Sequence, residues 1–195
     1  MNYSHKIKTP ASAPAITVEE MRAHLQYFEQ SSEVDALLAF FIAAGEERIE
    51  NITGRPLGET VYQQKIDCFP GEIKLLRGPV KSVASVKYKS PATGTVVTLS
   101  QDTDIEVDID SLPARISPRY GKVWPQVFDG YLPIEIEYTA GGESNPPKLL
   151  KLALRFLVSA WFSNREALTN VPAKELPDPI GFRGMLGDLV LETFS

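Results

Sequence analysis

One cysteine and two histidines are all that the 195-residue chain offers to the commonest metal and redox chemistries. Cys68 alone closes no intramolecular disulfide and builds no cysteine zinc site, so the fold needs no oxidising compartment. His5 and His24 have no second histidine or cysteine at ligand spacing, and neither is expected to bind a metal or catalyse. No apolar run approaches the roughly 20 residues of a membrane-spanning helix. The first residues hold no apolar signal-peptide core, so cytosolic synthesis and no membrane partner are expected. A Gly-x-Ser-x-Gly elbow is missing, and Gly141-Gly142 is not followed by the Gly-Lys-Ser/Thr of a phosphate loop. Positive charge is the scarcer sign: 20 basic residues against 25 acidic give a formal net charge of -5, which argues against gripping nucleic acid by counterion release.

What is present is ordinary globular composition, with 43% hydrophobic and 23% charged residues. That length suits one domain, or one core carrying a sizeable insertion. The opening "MNYSHKIKTPASAPA" is polar, carries Pro10 and Pro14 and shows no period, so residues 1–16 are expected as an extended arm that orders on a partner. Thr17 and Glu20 have capping-box spacing, ahead of a short helix whose Val18, Met21, Leu25 and Phe28 share a face. Ser31-Ser32 offers a second cap. Behind it, Val34, Leu37, Leu38, Phe41, Ile42, Gly45, Ile49 and Ile52 keep helical spacing until Gly54 and Pro56 close the helix. Glu46, Glu47, Arg48 and Glu50 form its outer face, which is solvated unless a neighbouring subunit covers it.

From Val61 the period switches to two. "TVYQQKIDCF", "GEIKLL", "KSVASVKYKS", "GTVVTLS", "DIEVDID", "ARISPR" and "LPIEIEYTA" read as six or seven short antiparallel strands, whose order the sequence does not give. Helical spacing returns after Gly141-Gly142. Asn145 is the expected cap, and Pro146 and Pro147 start the helix where their missing amide hydrogens go unneeded. Leu149, Leu152, Ala153, Phe156, Leu157, Ala160 and Trp161 make its expected buried stripe. A proline-rich "NVPAKELPDP" leads to a last short helix with Phe182, Met185, Leu186, Leu189 and Val190. The fold class is therefore α+β: N- and C-terminal helices pack as a bundle over 17–57 and 140–195, with an antiparallel β domain inserted over 58–139.

Taken in order, "SSEVDALLAFFIAAGEERIENITGRPL", "IDCFPGEIKLLRGPVKSVASVKY", "ARISPRYGKVWP", "IEIEYTAGG" and "PPKLLKLALRFLVSAWFSNREAL" resemble the head-tail connector (adaptor) proteins of long-tailed bacteriophages, the gp6-like group and its longer branch with a β insertion. The resemblance runs over roughly residues 17 to 168. It implies a non-enzymatic ring, commonly of twelve subunits, in the virion at the head-tail interface and in the host cytoplasm before assembly. Its partners would be the portal protein above, a stopper or tail-completion protein below, and genomic DNA sliding through the lumen without sequence-specific binding. An acidic chain suits such a lumen, because it repels phosphate. A tail-completion ring below the adaptor is the alternative place.

One constellation invites chemistry instead. "QDTDIEVDID" sets Asp102, Asp104, Glu106, Asp108 and Asp110 at alternate positions, so an all-strand reading lines five carboxylates along one face. Asp104, Glu106 and Asp108 are the candidate metal ligands of a less favoured β-domain binder or hydrolase, although the run lacks the glycine and terminal glutamate of an EF-hand. A solvated edge strand is the usual fate of such a run, and Lys or Arg of a neighbouring subunit is the next candidate partner. No cofactor is expected. Trp124 is read as packing and not as a ligand-stacking ring. Candidate interface residues are Glu46, Glu47, Glu50, Phe162, Arg165, Glu166, Phe182 and Phe194, with Arg165 and Glu166 pairing either within or between subunits.

Overall fold

A computed structural model describes residues 2–29, 31–142, 147–165 and 177–191. The architecture is α+β, and the chain divides into two compact units. Among the described residues, one comprises residues 2–11, 59–141 and Leu191, and the other residues 12–29, 31–58, Gly142, 147–165 and 177–190.

In the helical unit, α1 (Val18–Leu25) starts at Thr17, whose side chain accepts the Glu20 amide hydrogen at 3.2 Å. Ile16 and Met21, flanking that cap, are both buried in the helical core, the placement of a hydrophobic staple. The expected arm therefore ends early: Ala15 and Ile16 belong to this core because Ile16 supplies the apolar partner at the helix entrance. Phe28 is a second correction. Gln26 turns left-handed and ends α1 before the stripe reaches Phe28, which is 82% exposed.

The long helix α2 (Ser32–Thr53) is capped by Ser31 and ended by Gly54 at φ 73°, and it buries Leu38, Phe41, Ile42, Gly45 and Ile49. α3 (Lys148–Ser163) packs against it, while Asn145 and Pro146, its expected start, lie outside the described residues. The buried face of α3 is Leu150, Ala153, Leu154, Leu157, Val158, Trp161 and Phe162. That is about one residue's rotation from the expected stripe and leaves Leu149, Leu152 and Phe156 exposed. Gly45 explains the choice. A Cβ there would stand 2.6 Å from Leu154 Cδ1, with Val158 and Leu157 next nearest, so the glycine is the notch that receives this face of α3. α4 (Phe182–Leu186) and a 3-10 turn (Gly187–Leu189) close the unit, adding Phe182 and Leu186 to the same core.

The β unit contains all seven expected strands: β2 (Thr60–Ile66), β3 (Ile73–Lys74), β4 (Val80–Lys89), β5 (Val96–Leu99), β6 (Ile105–Asp108), β7 (Arg115–Pro118) and β8 (Ile134–Ala140). An eighth precedes them. Tyr3–Thr9 forms β1, paired antiparallel with β2, so the segment expected to wait for a partner is an edge strand of the chain's own sheet. The sheets run β1-β2-β8-β4-β5 and β3-β7-β6, with every pairing antiparallel. Alternation on β8 is strict: Ile134, Ile136 and Tyr138 are buried, and Glu135 and Glu137 face outward. One core holds residues from both sheets, among them Tyr62, Val86, Ile105 and Ile116.

Candidate functional site

The acidic run is shorter and more self-contained as structure than as sequence. Only Ile105–Asp108 is strand, and residues 101–104 form a turn, so the five carboxylates do not share one strand face. Asp104 accepts the Ser100 amide hydrogen at 3.0 Å, and its other oxygen lies 3.9 Å from Lys122 Nζ. Asp108 caps the following turn, accepting from the Ser111 hydroxyl and from the Ser111 and Asp110 amides, bonds that hold its pKa below the usual value. Glu106 is exposed on β6, an edge strand of its sheet. Among the described residues no group of three or more His, Cys, Asp or Glu side chains is placed to hold a metal.

The interface candidates separate by burial. Phe162 is 8% exposed and Phe182 0%, and both belong to the helical core of the single chain. For Phe162 the cause is the rotation of α3, which brings its ring edge-on to Tyr27 at 5.7 Å. Arg165 is exposed and lies over the Phe162 ring, 4.9 Å from its centroid. Glu166 and Phe194 lie outside the described residues. Glu46 accepts the Ala15 amide hydrogen at 2.6 Å and so ties the entrance of α1 to α2. Burial pushes its carboxyl up against that hydrogen bond, with Glu50 adding to the rise. Glu47 is exposed and Glu50 half-buried.

Periodicity also gives no sign of the Arg48 fork. Its Nε and Nη2 donate to the two oxygens of Asp178 at 2.9 and 2.8 Å, and Arg183 adds a third bond at 2.9 Å. The partners are 130 residues apart, so no local spacing announces them.

His5, on β1, stacks on Tyr62 with ring centroids 4.8 Å apart, and its Nε2 lies 3.2 Å from the Tyr138 hydroxyl. Burial, with the charge of Arg77 behind it, lowers its pKa from 6.5 to about 4. Between those values the unfolded chain binds more protons than the folded one, so stability falls as pH drops from 6.5 toward 4. The loss at the bottom of that window is at most about 3 kcal/mol. In an NMR titration the His5 ring is expected to stay neutral down to about pH 5; a midpoint near 6.5 would mean that β1 is not seated on β2.

Trp124 does pack, face to face on Phe69 with centroids 4.4 Å apart, and its Nε1 donates to the Gly71 carbonyl at 3.3 Å. A feature beyond the expected residues lies on the outer face of the five-stranded sheet. A depression of about 540 Å³ there is lined by Lys6, Lys65, Lys87 and Lys89, with Glu135 and Tyr131 among its other walls. The register places Ser4, Lys65, Glu135, Lys87 and Thr98 in one row across β1, β2, β8, β4 and β5. Lys65 pairs with Glu135 at 3.0 Å and Lys8 with Glu137 at 2.6 Å. Burial opposes ionisation of Glu135, but Lys65, Gln63 and Lys87 together outweigh it and hold its pKa low. Lys6, Lys87 and Lys89 make no ion pair among the described residues. Their signal in sequence is lysine at every second position in "KIK" and "KYK", which is too short to stand out.

No protein-family model and no curated protein matches the chain. Solved structures do. A chain from the neck of an empty gene transfer agent (GTA) particle, computed with C6 symmetry, aligns with a TM-score of 0.72 at 19% identity, covering 98% of this chain and 96% of that one. A chain from the virion of a native GTA particle gives 0.73 at 21% identity, covering 96% and 95%. A chain from the neck of a native GTA particle, computed with C12 symmetry, gives 0.70 at 21% identity, covering 98% and 96%. This protein therefore shares, over nearly its whole length, the fold of chains found in the neck and virion of a gene transfer agent particle.

Proposed function

We propose that the chain is a structural, non-enzymatic component of the neck of a phage-like particle, working as a ring at the head-tail interface. The observation that carries this reading is the end-to-end match to chains of necks computed with C6 and C12 symmetry. The finer reading is a connector of the gp6-like kind that docks beneath the portal and passes DNA through its lumen, the role the ordered sequence motifs imply. A net charge of -5 suits a lumen along which DNA slides. The exposed row Leu149, Leu152 and Phe156 on α3 suits a contact that a neighbouring copy covers in a closed ring.

The test is the mass of the purified full chain by native mass spectrometry, alone and with the portal protein of the same particle. A ring of about twelve copies, alone or on the portal, is the expected result. A ring that ignores the portal would move the protein to the tail side as a stopper or completion ring. A monomer indifferent to the portal would overturn the proposal.

A further inference from the structure

The β unit carries two opposite charge patterns whose members make no ion pairs among the described residues. On the outer face of the five-stranded sheet, Lys6, Lys87 and Lys89 surround the 540 Å³ depression without ion-pair partners among the described residues. On the other sheet, Asp102, Glu106 and Asp110 are exposed around edge strand β6, also without ion-pair partners among the described residues. Arg119 approaches Asp102 only at its backbone carbonyl. Three cations and three anions that make no ion pair among the described residues thus sit on different sheets of one unit, with Lys87 also acting through space on Glu135.

We propose that the lysine-lined depression is a docking surface for a second copy of this chain, and that its occupant is the β6 edge of the next subunit. The inference rests on the ring reading above and names one of its contacts. A closed ring needs a heterologous interface, in which one patch of each subunit meets a different patch of the next. A basic face and an acidic edge on the same unit meet that requirement.

Lys6 on β1 and Lys87 on β4 are three strands apart, about 16 Å including their stagger along the strands, a span wide enough for the edge of a neighbouring sheet to lie across. Nucleic acid is the weaker occupant. Glu135 and Glu137 stand among the lysines of this face, where a duplex with a charge about every 1.7 Å meets repulsion as well as attraction. A protein edge with a few discrete carboxylates can place them against Lys6 and Lys89, the two lysines of this face that do not act on Glu135 or Glu137, and share Lys87 with Glu135. Charges arranged in this way set register and partner choice more than raw affinity.

The experiment measures self-association of the full chain by sedimentation velocity and native mass spectrometry at low and high salt. One variant carries Lys6→Glu, Lys87→Glu and Lys89→Glu; a second carries Asp102→Lys, Glu106→Lys and Asp110→Lys; a third replaces the three lysines by Gln. Thermal melts confirm that each is folded. Each reversed variant alone is expected to associate at least tenfold more weakly than wild type, the Gln variant to fall between, and an equimolar mixture of the two reversed variants to regain the wild-type assembly. A wild-type ring that survives both reversals unchanged overturns this contact and leaves the ring standing. Lysine reversal that abolishes duplex DNA binding but not self-association assigns the face to phosphate and overturns the proposal. A wild type that stays monomeric alone and with its portal overturns ring and contact together.

Discussion

Trp161→Ala is expected to destabilise the helical unit by about 3–5 kcal/mol, the usual cost of removing a large buried aromatic side chain. Three observations place this substitution at the upper end of single-residue effects. The side chain is 2% exposed and among the largest fully buried ones in the chain. Its ring packs on Phe41 of α2 with centroids 5.9 Å apart, so the cavity would open between the two longest helices. Its Nε1 donates to the Pro177 carbonyl at 2.9 Å, so alanine would also release the stretch leading to α4. Trp161→Phe keeps most of the volume and loses only the hydrogen bond and the edge of the indole, and about 1–2 kcal/mol is expected. Urea unfolding followed by far-UV circular dichroism gives the values. The chain has two tryptophans, so the Ala variant retains Trp124 alone as a fluorescent reporter, and that residue lies in the β unit. Helical signal lost while Trp124 fluorescence stays native would show that the units unfold separately. A variant as stable as wild type would mean that α3 does not present Trp161 to Phe41.

What could be read ahead of the structure follows from how local its cause is. Both caps, Thr17 and Ser31, and the left-handed stop at Gly54 depend on neighbours within four residues, and all three form as their spacing implies. The seven strands of residues 60–140 likewise follow from alternation and turn residues. The errors have long-range causes. α3 is apolar around most of its circumference, so periodicity allows more than one buried stripe, and the notch at Gly45, more than a hundred residues earlier, selects among them. That one rotation buries Phe162 and uncovers Leu149, Leu152 and Phe156. β1 was hidden for a related reason. "YSHKIKT" is too polar to announce a strand, and its place depends on hydrogen bonds to β2 and on His5 entering the Tyr62 and Tyr138 cluster. The lysine face escapes notice because it is assembled from β1, β2 and β4, and only the strand order brings those lysines together.

Gln64 is the other position where polarity misleads, and Gln64→Leu is expected to cost the β unit about 3 kcal/mol. On alternation alone, a leucine there would look like an improvement, because residue 64 lies between Tyr62 and Ile66 on the core side of β2 and is 3% exposed. Its amide acts as a short piece of backbone. Nε2 donates to the Lys74 carbonyl at 3.1 Å and Oε1 accepts the Leu76 amide hydrogen at 3.2 Å. Between those two bonds, the Leu75 amide reaches the Ala114 carbonyl at 2.9 Å. The segment containing the two-residue strand β3 is thus held by β7 on one side and by a single side chain on the other. Leucine would fill the volume but leave one donor and one acceptor without partners in a buried place, each costing about 1–3 kcal/mol, partly offset by the better transfer energy of an apolar side chain. Hydrogen exchange separates this mechanism from a general packing loss. The Leu76 amide is expected to be protected in the wild type and to exchange by local opening in the variant, while amides of β8 keep global protection. Equal Leu76 protection in both proteins would show that Gln64 does not hold this segment, and the stability loss would then belong to packing around Tyr62.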